Sequence, residues 1–161
     1  MPVLKRLQSY LDANKIPYEL VNHSKAYTAH DVARSLEVPG NLVAKVVVVK
    51  ADGYFVMTVL PSTWRVDLKR LREVLDVREV RLATEGEILN IFPDCQVGAM
   101  PPFGNLYGVE VYVDQLLTED ESIVFEAGTY VGAMKLRYKD FATLVRPKVA
   151  VFHQEPSKIE Q

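Results

Sequence analysis

The sequence predicts an α/β domain in which a mixed, largely antiparallel sheet is flanked by helices. Three observations carry the prediction. Amphipathic stretches at helical spacing are interleaved with short apolar runs rather than segregated from them. Asp52-Gly53 lies between two of those runs, 43–50 and 54–60, and Asp-Gly supplies the positive φ angles of a tight hairpin turn. No repeat, low-complexity segment or linker divides the 161 residues, and 48% hydrophobic with 25% charged content is ordinary globular material. Residues 1–161 therefore read as a single domain with a polar tail from about residue 154.

Each element has a local cause. Val3, Leu4, Leu7, Tyr10 and Leu11 recur at helical spacing behind Pro2, which predicts a helix over 2–14 that Pro17 stops. Residues 18–23 alternate as a short strand. Thr28-Ala-His-Asp31 has capping-box spacing and opens a second helix that Pro39-Gly40 closes. After the hairpin, Asp67 caps a helix carrying Leu68, Leu71, Val74 and Leu75, and residues 78–82 form a strand. Thr84-Glu-Gly-Glu87 is a second capping box, starting a short helix that ends at Phe92-Pro93. Two glycines and two prolines between Cys95 and Gly104 predict a rigid, irregular loop. Strands follow at 109–113 and 123–126, then a turn at Ala127-Gly128-Thr129, a strand over 131–138 and a helix over 140–145 ended by Arg146-Pro147.

Composition narrows the function. A net charge of −2 and a pI near 5.9 exclude a protein that grips long nucleic acid through many phosphates, DNA included, but not a small contact with one end of an RNA. Cys95 stands alone, so no intramolecular disulfide forms. The first residues lack the apolar run of a leader, and no window approaches the ~18 apolar residues of a membrane span. The expectation is a cytoplasmic protein without a membrane partner.

Lys45 is the residue that the apolar run Val43-Ala-Lys-Val-Val-Val-Val-Lys50 least expects. An unpaired buried ammonium costs several kcal/mol, so Lys45 either reaches out to water or faces a cavity that holds something anionic or polar. Strand periodicity sets Lys45, Val47 and Val49 on one face and Lys50 on the other, beside the turn, where it is plain surface. The loop Gly98-Ala-Met-Pro-Pro-Phe-Gly104 is either structural or a ligand cradle, because glycine admits close backbone approach and proline fixes the chain. Gly128 has the same ambiguity. Cys95 reads as a small buried hydrophobe rather than a nucleophile. His23, His30 and His153 have no ligand-like spacing, so no metal site is expected, and no Gly-x-Ser-x-Gly, P-loop or dinucleotide fingerprint occurs. Any chemistry lacks an evident protein nucleophile.

His23-Ser-Lys-Ala-Tyr-Thr-Ala29, Val43–Lys50, Val59-Leu-Pro-Ser-Thr63 with Arg65-Val-Asp-Leu68, Gly98–Gly104 and Phe125-Glu-Ala-Gly128, in this order, resemble the YbaK/prolyl-tRNA synthetase-associated domain family across roughly residues 15–146. The resemblance implies a curved mixed sheet surrounded by helices and an aminoacyl-tRNA deacylase: trans-editing, the hydrolysis of the ester of a mischarged tRNA carrying a small amino acid. It implies no cofactor, and as partners the acceptor end of aminoacyl-tRNA and, further, a synthetase. In the family the 2′-hydroxyl of the terminal adenosine takes part in activating water or attacking the carbonyl, which accounts for the missing nucleophile.

Carried over, the resemblance makes Lys45 the residue that holds the carbonyl or terminal phosphate, with the loop of Gly98 and with Gly128 supplying backbone N–H groups to the acyl group and the oxyanion. Tyr27, Thr28, Met100, Pro101, Pro102, Gly104, Thr129 and Tyr130 would shape the substrate pocket. Two positions depart from relatives: Tyr130 stands where several have histidine, and Val46 where some alanine-specific members have asparagine. The alternative is a non-catalytic module of the same fold that docks a tRNA end or a synthetase; a third reading is a structural domain with an inert pocket.

Overall fold

The computed structural model describes residues 4–22 and 43–154. The helix expected after Thr28, together with Pro2, Tyr27 and Thr28 themselves, lies outside the described residues. Helix α1 spans Lys5–Ala13 and buries Leu7 and Leu11; its N-cap Leu4 has extended backbone geometry. Strand β1 is Glu19–Asn22, β2 is Ala44–Ala51 and β3 is Tyr54–Pro61. The β2–β3 hairpin has its expected register, with Lys45 opposite Leu60 and Ala51 opposite Tyr54, and Asp52 and Gly53 both take positive φ in the turn.

The two predicted caps that fall among the described residues both form. Asp67 accepts the N–H of Arg70 at the start of α2 (Leu68–Leu75), and Thr84 and Glu87 make a reciprocal capping box at α3 (Glu85–Ile91). Two short strands, β4 (Arg65–Val66) and β5 (Val80–Leu82), frame α2. The chain continues through the 95–104 loop, one 3₁₀ turn (Gly104–Tyr107), β6 (Glu110–Asp114), another 3₁₀ turn (Gln115–Glu119), β7 (Ser122–Thr129), β8 (Gly132–Arg137), α4 (Tyr138–Val145), β9 (Lys148–Ala150) and β10 (His153–Gln154).

Five strands pair in the order β5-β2-β3-β6-β9, antiparallel through β5, β2 and β3 and parallel from β3 to β9. A second, antiparallel sheet has the order β1-β8-β7, and β4 pairs with β10. The two larger sheets meet at one parallel bridge, Val43 to Val124. The architecture is thus a mixed, largely antiparallel α/β fold, as the sequence predicts.

The five-stranded sheet buries both faces. Ala44, Val48, Met57, Val59, Val111 and Val113 join α1, α4 and the second sheet in a first core around Phe92, Phe103, Phe125 and Phe141. Val49, Val56 and Leu60 join Leu71 of α2 and Phe152 in a second. Burial on both sides is why β2 reads as an almost continuous apolar run.

Three local expectations are corrected. Gly128 lies within β7, at an irregularity between Glu126 and Thr129, and the turn is made by Tyr130 and Val131. Strand β8 therefore starts one residue later than predicted, and α4 starts two earlier. Lys50 is not plain surface: its Nζ sits 3.7 Å from Glu87 Oε2 and 5.6 Å from the centre of the Phe55 ring.

Candidate functional site

Lys45 occupies the second residue of β2, on the side of the second core, facing Leu60 across the hairpin. Its side chain is half-buried. Burial pushes its pKa below the usual lysine range, and the nearby guanidinium of Arg65 pushes it further the same way. A lysine reaching freely into water would have neither property.

The seam between the sheets places a carboxylate level with this cation. Val43 and Val124 bridge in parallel, and Lys45 and Glu126 each lie two residues beyond that bridge. Ala44 and Phe125, the intervening residues, face the first core, so Lys45 and Glu126 occupy the opposite face. Glu126 is only 4% exposed, a burial that carboxylates rarely accept without a specific reason. Two residues further along β7 comes Gly128.

Gly128 is the point at which β7 clamps the 95–104 loop. Its N–H donates to Ala99 O at 2.8 Å and its carbonyl accepts the N–H of Gln96 at 2.9 Å. Its φ of +99° lies in the region that favours glycine, and a Cβ there would stand 2.9 Å from Leu4 Cβ. Tyr130 completes the clamp: its N–H donates to Gln96 Oε1 at 2.6 Å and its hydroxyl donates to Val97 O. Within the loop, Gly98 is exposed with a φ of +87°, and its N–H points at Met100 Sδ, 3.2 Å away, a weak acceptor.

Hydrogen bonds thus tie the loop that carries Gly98 to Gly128 and Tyr130, with Thr129 between them in the chain. It treats the rest of the loop differently. Met100, Pro101, Pro102 and Gly104 are buried, Met100 as part of the first core. Gly104 has a packing role, because a Cβ there would stand 2.6 Å from Val109 O. Sequence reasoning gave no role to Arg65, whose charge acts on Lys45, or to Glu126, which comes level with it along the seam. Glu126 carried the same signal as Lys45, a charge inside an apolar run; Arg65 stood in a family-like motif, but only folding brings its charge to bear on Lys45.

The nucleophile inventory stays thin. Cys95 is buried, and that burial pushes its thiol up to about 11. His153 is held by Asp114, with Nδ1 2.9 Å from Oδ1, while the fully buried Asp114 carboxylate also accepts the N–H groups of Leu116 and Phe152. With Trp64 edge-on at 4.7 Å, this pair fastens β10, and through the Gln154–Arg65 pairing it fixes the strand that carries Arg65. Among the described residues no cluster of three His, Cys, Asp or Glu side chains could hold a metal ion.

Fold and site together define a class: a mixed α/β domain presenting a half-buried cation and a clamped Gly/Pro loop. Residues 23–144 match the aminoacyl-tRNA editing domain, so the chain belongs to that family. No curated protein matches it. Among solved structures, the hypothetical protein APE2540 is 18% identical with a TM-score of 0.85, covering 93% of this chain and 100% of its own. A structure described as "a putative trans-editing enzyme for prolyl tRNA synthetase" is 19% identical with a TM-score of 0.82, covering 93% of this chain and 96% of its own. At these identities the two likenesses show the fold, which is that of the predicted family.

Proposed function

We propose that this chain is an aminoacyl-tRNA deacylase, hydrolysing the ester of a mischarged tRNA that carries a small amino acid. The observation that carries the reading is Lys45, a cation kept half-buried at the sheet seam in an editing-domain chain. A cation so placed meets an anion or a polarised carbonyl with less screening than at the surface.

In the proposed reaction, water adds to the ester carbonyl with help from the adjacent 2′-hydroxyl of the terminal adenosine. The bond to the ribose oxygen then breaks, that oxygen takes a proton, and free amino acid and deacylated tRNA leave. The protein positions and polarises. Lys45 holds the terminal phosphate or the carbonyl. Gly98 can turn its N–H from the thioether of Met100 to the developing oxyanion at little cost, because the thioether is a weak acceptor. The N–H of Gly128 is committed to Ala99, so its part is to hold the loop in place. Glu126, level with Lys45, suits the α-ammonium of the aminoacyl group. Tyr27, Thr28, Thr129 and Tyr130 remain our assignments for the wall of the acyl pocket, with Met100, Pro101, Pro102 and Gly104 as its packed base. The site of action would be the cytoplasm, beside the synthetases that make the errors.

The test is ester loss from tRNAs charged with Ala, Ser, Thr, Cys and Pro, with Lys45→Ala as comparison. Loss above the spontaneous rate on at least one substrate, abolished in the variant, is expected. No loss on any substrate would favour the non-catalytic tRNA-end or synthetase-binding module, a reading to which the commitment of the Tyr130 hydroxyl to Val97 O lends some weight.

A further inference from the structure

A second feature lies at the other end of β2. A cleft of ≈ 1090 Å³ opens beside the hairpin turn, between the start of β5 and one side of α2. It contains none of the residues assigned to the ester site. Its walls carry five cations, Lys50, Lys69, Arg72, Arg78 and Arg81, against two acids, Asp52 and Glu79. In a chain whose net charge is −2, this is a local reversal of sign.

Internal pairing leaves much of that positive charge available. Arg81 makes a two-pronged contact with Glu87 at 2.8 and 2.9 Å, and Lys50 shares the same carboxylate. Asp52 is exposed at the turn, with its carboxylate accepting the N–H groups of Arg78 and Glu79. Lys69 and Arg72, one helical turn apart on α2 and both exposed, have no carboxylate within ion-pair distance among the described residues. A concave wall of guanidinium and ammonium groups suits phosphates spaced along a chain better than an isolated carboxylate.

We propose that this cleft binds backbone phosphates of the acceptor arm of the same tRNA whose terminal adenosine lies at Lys45. The inference rests on the deacylase reading and adds the surface that reads the RNA. Five strand residues separate Lys45 from Lys50, ~17 Å at the usual rise of a strand. At ~3.4 Å per nucleotide along a stacked strand, that span is covered within about five nucleotides of the end. One RNA strand is therefore long enough to reach from one place to the other.

The test is binding of uncharged tRNA, followed by fluorescence anisotropy across a salt series. The wild type is compared with Lys69→Glu/Arg72→Glu and with Lys135→Glu/Lys139→Glu, an equal charge reversal at exposed positions on β8 and α4. We expect the cleft variant to lose about tenfold or more in affinity, and its salt slope to fall by ~1.4, two contacts at ~0.7 each, while the control keeps its slope. Equal losses in both variants, an unchanged slope, or a wild type that does not bind tRNA would overturn the proposal. Deacylation distinguishes the two readings. Lysine-dependent hydrolysis with a cleft variant that binds like wild type refutes the cleft alone; cleft-dependent binding without hydrolysis refutes the deacylase alone.

Discussion

Replacing Lys45 by methionine should move activity and stability in opposite directions. Methionine keeps the length of the aliphatic stem and removes the charge. If Lys45 stabilises the transition state as one well-aimed donor does, about 3 kcal/mol is lost, or roughly 150-fold in the rate of ester hydrolysis. Stability follows from burial and from Arg65, which both hold the folded-state pKa of Lys45 below its unfolded value. The protonated form is therefore the less favourable one in the folded protein. That penalty is fully present below the folded pKa, shrinks as pH rises, and is gone above the unfolded value of 10.5. Lys45→Met should thus be more stable than wild type at pH 7, with a higher Tm, and the gain should fade as pH approaches 10.5. Single-turnover deacylation and thermal melts at pH 7 and above 10 measure both halves. A variant that is as active as wild type refutes the site assignment. One that is inactive and also less stable shows instead a lysine that holds the fold together.

Other positions give sharper structural readouts. Gly128→Ala must adopt a φ of +99° and place a Cβ 2.9 Å from Leu4, so it should lose about 3 kcal/mol and roughly 6–12 °C in Tm; a change under about 0.5 kcal/mol would contradict the packing described. Asp114→Ala strips the acceptor from two backbone N–H groups and His153 in a buried site, and should cost about 3–5 kcal/mol by urea unfolding; a loss under about 1 kcal/mol would contradict the packing described. Cys95, with its thiol at about 11, should resist iodoacetamide at pH 7.5 in the native protein, and Cys95→Ala should keep its hydrolytic rate; rapid alkylation coupled to inactivation would reinstate the thiol as a nucleophile. Tyr130→Phe should lower stability by about 1 kcal/mol through the lost bond to Val97 O, and a loss of deacylation larger than about tenfold would show that the hydroxyl also meets substrate.

What was legible in the sequence was whatever short-range chemistry controls. Asp52-Gly53, the Asp67 cap and the Thr84–Glu87 box each act within four residues, and each appears where it was read. Lys45 stood out because an ammonium in an apolar run is an anomaly by itself. The errors share one cause. Ala127-Gly128-Thr129 has the composition of a turn, yet β7 continues through it because Gln96, Ala99 and Leu4, distant in sequence, supply its backbone partners. Strands β4 and β10 were invisible for the same reason, being two residues long and defined only by pairing with each other.

By itself the sequence determined the class of the fold, the family and the anomalous cation, because periodicity, capping and motif order survive without knowledge of contacts. Tertiary structure alone decided the company that cation keeps. Glu126 comes level with Lys45 through a single bridge between two sheets, Arg65 approaches through a two-stranded pairing, and the N–H of Gly128 is taken by Ala99. Those relations join residues many positions apart, and the cost of closing such loops is offset only by the burial of the whole core, which no local pattern encodes.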